Sequence, residues 1–469
     1  MSLSAVLARI DENFAHFVEK LDSFSRIPGI SAEPAPSPAL ADSAARVCEM
    51  MREVGLLGVR VMELEGAHPY AYGEWLQRPG APTLLLYAHH DVQPTGRDER
   101  WLSPPFEPEI RDGRMYGRGV VDDKAGVLSH LAAIAAWMQE TGALPCNVKF
   151  IVEGEEETGS EHLEEFLAAH AELLAADCIL LTDTANLDTG IPSITTRLRG
   201  LVGADIKVRG LKGPLHSGMW GGPVPDPVMA LVKILARLTD AEGEVAIPGF
   251  WDEVREPSPE QREQLNSLPF DAADFKRDAG MLEGMEFSGS PSATVYEKLW
   301  FRPVLSINGL ISVPVDGASN QITDSAQARV SIRLVPDQDP ERCRDLLVEA
   351  LRAEPPFGVE VEVEPGPAAI WWSTEAQGPA FEAAARAMEL GFDKPCTFIG
   401  CGGTIPFVTP FARVLGGIPA VLLGLEDPAC AAHAENESLH LGDWRKGMRA
   451  TAALYEELRE VLGGPLQEL

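Results

Sequence analysis

Apolar residues recur at helical spacing near the N-terminus, at Phe14, Phe17, Val18 and Leu21 and again at Ala44, Val47, Met50 and Met51. Pro28, Pro34 and Pro36 fall between the two helices that this spacing predicts. Short strand-like runs follow at 59–64, 83–88, 148–152 and 178–181. Between the second and third of these, 123–141 is apolar at helical spacing and ends against Gly142, a predicted C-cap. Strands alternating with helices predict an α/β fold: a doubly wound, mostly parallel sheet covered on both faces.

Past about Gly200 the pattern changes. It predicts a strand at 201–208, a helix at 227–238, strands at 304–313 and 326–335 and a helix at 340–353. An alternating strand with one wet face follows at 359–363. This βαβ-βαβ order is the ferredoxin-like arrangement. Residues 240–300 interrupt it with a polar, Pro-containing, acidic insertion. After about Gly378 the first pattern resumes, with a helix through Ala384 and Met388, an apolar run at 420–425 and an amphipathic helix from Asp443. The expected organisation is one discontinuous α/β domain, 1–199 and 378–469, carrying an inserted α+β domain at 200–377.

Composition narrows the class. A chain of 469 residues exceeds what one hydrophobic core usually supports, and 45% hydrophobic with 23% charged residues describes a globular protein. A formal charge of −32 argues against nucleic acid and anionic membrane as partners and favours small molecules or cations. The N-terminal stretch lacks a basic segment followed by a long apolar core, and no run reaches the roughly 18 apolar residues of a membrane span. Seven scattered cysteines without a CxxC pair suggest reduced thiols in a cytoplasm.

The candidate chemistry lies where apolar runs end. LLLYAHHD supplies His89, His90 and Asp91, FIVEGEEE supplies Glu153, Glu155, Glu156 and Glu157, ILLTD supplies Asp183, and VLLGLEDPACAAHAE supplies His433 a few residues on. YGRGVVDDKAG places Asp122 and Asp123 just before a predicted helix. In open α/β sheets, ligands gather outside the carboxyl ends of the strands, so these segments are expected to converge there. Any one of them alone is better explained by a hydrogen-bonded pair or a solvated acidic turn. Together, imidazoles and carboxylates without a thiolate suit zinc, cobalt or manganese in a catalytic site. One ion would need three of these groups plus water, whereas two ions sharing a bridging carboxylate would need five.

The ordered motifs YAHHDVQP (87–94), YGRGVVDDKAG (116–126), EGEEETGS (153–160), LLTDT (180–184), LHSGMWGG (215–222), SIRLVPDQDP (331–340) and AAHAENES (431–438) resemble the cocatalytic two-zinc peptidase superfamily. That superfamily includes carnosinase-type cytosolic dipeptidases, carboxypeptidase G, aminoacylase, acetylornithine deacetylase and succinyl-diaminopimelate desuccinylase, and the dipeptidase branch is the most similar. The resemblance implies two divalent ions, zinc first with manganese or cobalt as alternatives. It assigns His89, Asp122 and Asp183 to one ion and Asp122, Glu157 and His433 to the other. It also implies a cis peptide between Asp122 and Asp123, Asp91 holding the His89 ring, and Glu156 as general base. Glu156 and Glu157 can divide these roles only if the backbone bends between Gly154 and Gly159.

The same resemblance makes 200–377 a lid and dimerisation domain. His216 would reach the active site of a partner subunit in a homodimer, and Arg333 would grip a substrate carboxylate. Gly403 and Thr404, in GCGGTIP, would line the substrate pocket. The chain departs from the dipeptidase branch at Cys401, where a glutamate is expected to meet the substrate's free amine. The expected activity is hydrolysis of small peptides with a free carboxylate. Deacylation of N-acyl amino acids is the closest alternative, and a non-catalytic metal-dependent binding protein is the alternative from another class.

Overall fold

The computed structural model describes residues 3–403 and 408–463, with Thr404 outside the described residues. The chain separates into two compact units. One comprises Met1–Thr196, Thr374–Ile399 and Phe407–Leu469, and the other Arg197–Ser373 with Gly400–Pro406. In chain order the elements that matter below are α1 (Leu3–Ser25), α2 (Pro38–Glu53), β1 (Leu57–Met62), β2 (Tyr70–Trp75) and β3 (Thr83–His89). Next come α3 (Lys124–Thr141), β4 (Asn147–Glu153), β5 (Cys178–Ala185) and β6 (Ser193–Leu198). The second unit supplies β7 (Gly200–Arg209), α4 (Pro227–Ala236), β8 (Val304–Ile311), β9 (Ser325–Leu334), α5 (Pro340–Arg352) and β10 (Glu360–Ala369). The chain then returns through α6 (Pro379–Phe392), β11 (Ala420–Glu426) and α7 (Leu441–Leu462).

In the first unit the strands stand in the order β1-β2-β4-β3-β5-β11-β6. The centre, β4-β3-β5-β11, is parallel, and antiparallel pairings close both edges. Burial on both faces explains why these strands read as continuous apolar runs. On β3, Leu84, Leu86 and Ala88 join the core built with α1, α3 and α7, together with Phe150, Leu180 and Val421 from neighbouring strands. The intervening Tyr87 turns to the opposite face, where its ring meets Phe411 edge-on at 5.3 Å, while Tyr70 of β2 stacks on Phe166 at 4.0 Å. Helix α3 ends as its sequence predicts. Gly142 sits at φ 74° and its N–H donates to the Met138 carbonyl.

The order places β3 between the strands that follow it, β4 on one side and β5 on the other. This reversal opens a crevice at the carboxyl ends of β3 and β5. No helix among the described residues is long and apolar enough to cross a membrane.

In the second unit the sheet runs β8-β9-β7-β10, antiparallel throughout. This is the ferredoxin-like order, with each βαβ half supplying one inner and one outer strand. On β9, Ala326, Ala328, Val330, Ile332 and Leu334 are buried, and on β7 Val202, Ala204, Ile206 and Val208 face the same core. The insertion contains three short helices, Pro259–Ser267, Ala272–Asp278 and Val295–Trp300. The first and last start with capping boxes from Ser258 and Thr294.

Candidate functional site

His89 is the last residue of β3, Asp122 and Asp123 precede α3, Glu156 and Glu157 follow β4, Asp183 lies near the end of β5, and His433 follows β11. All belong to the first unit. The Asp122 carboxylate stands at the centre. Its Oδ1 is 2.9 Å from His89 Nε2 and its Oδ2 is 3.0 Å from His433 Nε2. Asp183 Oδ1 approaches His89 Nε2 to 3.8 Å, and Glu157 Oε2 approaches His433 Nε2 to 3.1 Å. One carboxylate thus spans two histidines, each with a further acid beside it.

Local backbone geometry makes this possible. The Asp122–Asp123 peptide is cis. Asp123 is buried, and its Oδ2 accepts from the His89 backbone N–H at 3.2 Å, tying the start of α3 to the end of β3. Gly126 leaves room for that carboxyl, since a Cβ there would lie 1.9 Å from Asp123 Oδ1. After β4 the chain turns into a single 3-10 turn, Glu156–Thr158, closed by Gly159 at φ 94°. That turn is the bend Glu156 and Glu157 need in order to separate. Asp91 accepts from both of their backbone N–H groups, at 3.2 and 3.0 Å, and its Oδ1 lies 3.3 Å from His89 Nδ1. His89 Nδ1 is also 3.1 Å from the Asp91 carbonyl oxygen. Asp91 therefore orients the imidazole and the acidic turn together.

The four glutamates of this turn differ in their partners. Glu153 accepts from the Tyr87 hydroxyl at 2.6 Å. Glu155 accepts from the His68 and His162 backbone N–H groups and from the Tyr70 hydroxyl. Glu157 is held by the Gln93 backbone N–H at 3.1 Å and side-chain amide at 2.9 Å. No group among the described residues donates to the Glu156 carboxylate.

The electrostatics follow from this crowding. Burial would raise Asp122, but hydrogen bonds from His433 and His89 outweigh it and hold the carboxyl below its ordinary range. Burial and then the Asp122 charge push Glu157 up to about 7. Burial also drives Glu156 well above its usual range, with Asp183 and Glu157 adding to it against the opposing field of His89. Hydrogen bonds to Asp122 and Glu157 push His433 up to about 11. Among the described residues no Lys or Arg pairs with Asp122, Asp183, Glu156 or Glu157, so no fixed cationic side chain offsets these acids. Ligand atoms of Asp122, Glu157 and His433 all lie within 4.8 Å of one another, as do those of His89, Asp123 and Asp183. Nitrogen and oxygen donors without thiolate, gathered around uncompensated acids, fit divalent ions.

Three further residues, which residue type and spacing did not single out, complete this region. Gln93 fixes Glu157 as described. Glu437 accepts from the N–H groups of Gly119, Val121 and Asp122, at 2.9, 3.1 and 3.4 Å, and from Arg118 Nη1 at 2.7 Å. It binds the segment that carries Asp122 to the loop that carries His433. Glu426, the last residue of β11, brings a carboxylate oxygen within 4.8 Å of ligand oxygens of Asp122 and Asp183. Its signal was the one used for the others, an acid at the end of an apolar run.

His216, Arg333 and Gly403 lie in the second unit. His216 is exposed on a two-residue strand paired with Gln321–Ile322, and its Nδ1 accepts from the Gly218 N–H at 3.0 Å. Arg333 stands on β9 opposite Leu201 and Val304, its guanidinium pKa lowered by burial. The Gly403 carbonyl accepts from the Arg199 backbone N–H at 3.0 Å, Arg199 Nε donates to the Gly402 carbonyl at 3.0 Å, and the Gly403 N–H meets Cys401 Sγ at 3.3 Å.

A family model described as peptidase family M20/M25/M40 matches residues 85–457. The cysteinylglycine-S-conjugate dipeptidase of Corynebacterium striatum is 34% identical over 361 residues, covering 76% of this chain and 77% of the relative. The solved structure of the dipeptidase Dug1p from Saccharomyces cerevisiae superposes with a TM-score of 0.86 at 26% identity, covering 98% of this chain and 99% of that one. Human carnosine dipeptidase 1 superposes at 0.84 with 26% identity and covers the same shares.

Proposed function

Because the chain belongs to peptidase family M20/M25/M40, we propose that it is a metal-dependent dipeptidase acting on short peptides with a free carboxylate. The observation that carries this reading is the Asp122 carboxylate spanning His89 and His433, with Asp183 and Glu157 on either flank. His89, Asp122 and Asp183 would hold one divalent ion and Asp122, Glu157 and His433 the other, with zinc first and manganese or cobalt as alternatives. When bound, the two ions supply Lewis acidity and lower the pKa of an attacking water.

The chain's own residues do the rest. Glu156, beside the ligands and without a hydrogen-bond donor among the described residues, takes the proton of the attacking water and returns it to the leaving amine. Asp91 keeps the His89 ring and the Glu156–Glu157 turn in register. Arg333 offers a planar fork to the substrate carboxylate, and Gly403 is a further candidate for substrate binding. His216 donates to the scissile carbonyl from a partner subunit, where charge develops in the transition state. A homodimer is supported by β8, an edge strand with Leu310 at 51% and Ile311 at 60% exposure. A cytoplasmic setting is supported by seven cysteines, each without a disulfide bond.

Cys401 favours one second reading, the hydrolysis of N-acyl amino acids, because no carboxylate stands at that position to meet a free amine. Turnover of one dipeptide with a free and with an acetylated N-terminus separates the two. Cleavage of the free form is expected, and activity on the acetylated form alone would overturn the dipeptidase reading.

A further inference from the structure

We infer that Glu426 is an additional donor of the dinuclear centre and widens its metal tolerance from zinc toward manganese; this rests on the metal-site reading above. Strand β11 runs parallel to β5, with Gly424 opposite Thr184 and Glu426 opposite Ala185, so Glu426 emerges at the same sheet end as Asp183. Its carboxylate oxygen lies within 4.8 Å of ligand oxygens of both Asp122 and Asp183. Among the described residues nothing donates a hydrogen bond to this carboxylate and no Lys or Arg pairs with it.

Its neighbours are treated differently. Asp427, the next residue, receives both Arg114 Nη atoms at 2.9 Å each. Glu437, at the far end of the same loop, has Arg118 and three backbone N–H groups. The fold thus neutralises the acids around Glu426 and leaves this one facing two like charges. Three carboxylates gathered within 4.8 Å of one another, with no Lys or Arg beside Glu426 among the described residues, call for a cation between them.

A cation shared with Asp122 and Asp183 meets that need. The ion on the His89 side would then draw on one imidazole and three carboxylates. Zinc is satisfied by four donors and tolerates nitrogen and sulfur, whereas manganese favours oxygen-rich sites of higher coordination. A third carboxylate therefore narrows the usual advantage of zinc.

The test uses the full chain stripped of metal, dialysed against manganese and zinc in competition, with bound metal counted and free manganese followed by its paramagnetic resonance signal. Glu426→Gln is expected to weaken manganese by about tenfold more than zinc. Glu426→Asp, which retracts the carboxylate, should show a smaller shift of the same sign and guards against misfolding of the first variant. An unchanged manganese-to-zinc ratio in both variants would make Glu426 a protonated bystander and overturn the inference. The underlying metal-site reading fails separately, if Asp122→Asn binds as much metal as the parent.

Discussion

Glu437 and Glu426 flank the loop that carries His433, and burial raises the pKa of both carboxyls. Their surroundings differ. Glu437 and Arg118 are each 1% exposed and 2.7 Å apart, and backbone N–H groups saturate the remaining acceptor capacity. Glu426 faces Asp122 and Asp183, with neither an N–H donor nor a Lys or Arg partner among the described residues. A buried acid with its donors in place reads as scaffold, whereas one aimed at other acids reads as a place kept for a cation.

Histidines divide the same way. His433 is pushed up to about 11 by the carboxylates it touches, while burial drives His130 down to about 3 beside the Tyr455 and Thr182 hydroxyls. His130 is buried and His433 is exposed, so the two differ in burial as well as in the groups they face.

The largest expected effect lies in the crevice. Glu156→Gln keeps the shape and removes the proton acceptor, so turnover of a dipeptide should fall about 100- to 10,000-fold while bound metal stays unchanged. Steady-state kinetics beside metal analysis checks this, and full activity in the variant would place the base elsewhere.

Next comes the scaffold. Glu437→Ala strands the Arg118 charge and three N–H groups, and should cost about 3–5 kcal/mol in denaturant unfolding of metal-free protein. A neutral result would erase the contrast with Glu426.

The smallest effect concerns His130. Its folded pKa lies below the unfolded value, so between about pH 3 and 6.5 the unfolded chain binds more protons and stability falls as pH falls. From pH 7 to 5 this amounts to about 2 kcal/mol. His130→Phe should lose that part of the pH dependence, read from urea midpoints at the two values.

Much of the fold was legible because the two patterns differ in kind. The apolar runs of β3, β4 and β5 demand a sheet buried on both faces, while VEVEV demands one wet face. The segments carrying His89, Glu157, Asp183 and His433 were legible because each follows an apolar run, which in a parallel sheet fixes where the next residues emerge, and the Asp122 segment was legible from its place just before a helix. Gln93 and Glu437 were not, since their roles rest on backbone N–H groups that residue type does not encode. Glu426 ends an apolar run as the others do, but residue type alone does not separate it from Asp427 beside it. The helices within 240–300 owe their starts to single caps, Ser258, Asp271 and Thr294, in a stretch with little apolar periodicity.

If the acids of the crevice are held for two cations, metal-stripped protein dialysed against zinc and assayed on an unblocked dipeptide should take up two equivalents of metal per chain. Hydrolysis should appear as they bind and be lost again on chelation. Hydrolysis that persists in metal-free protein, or a chain that takes up no metal, would contradict it.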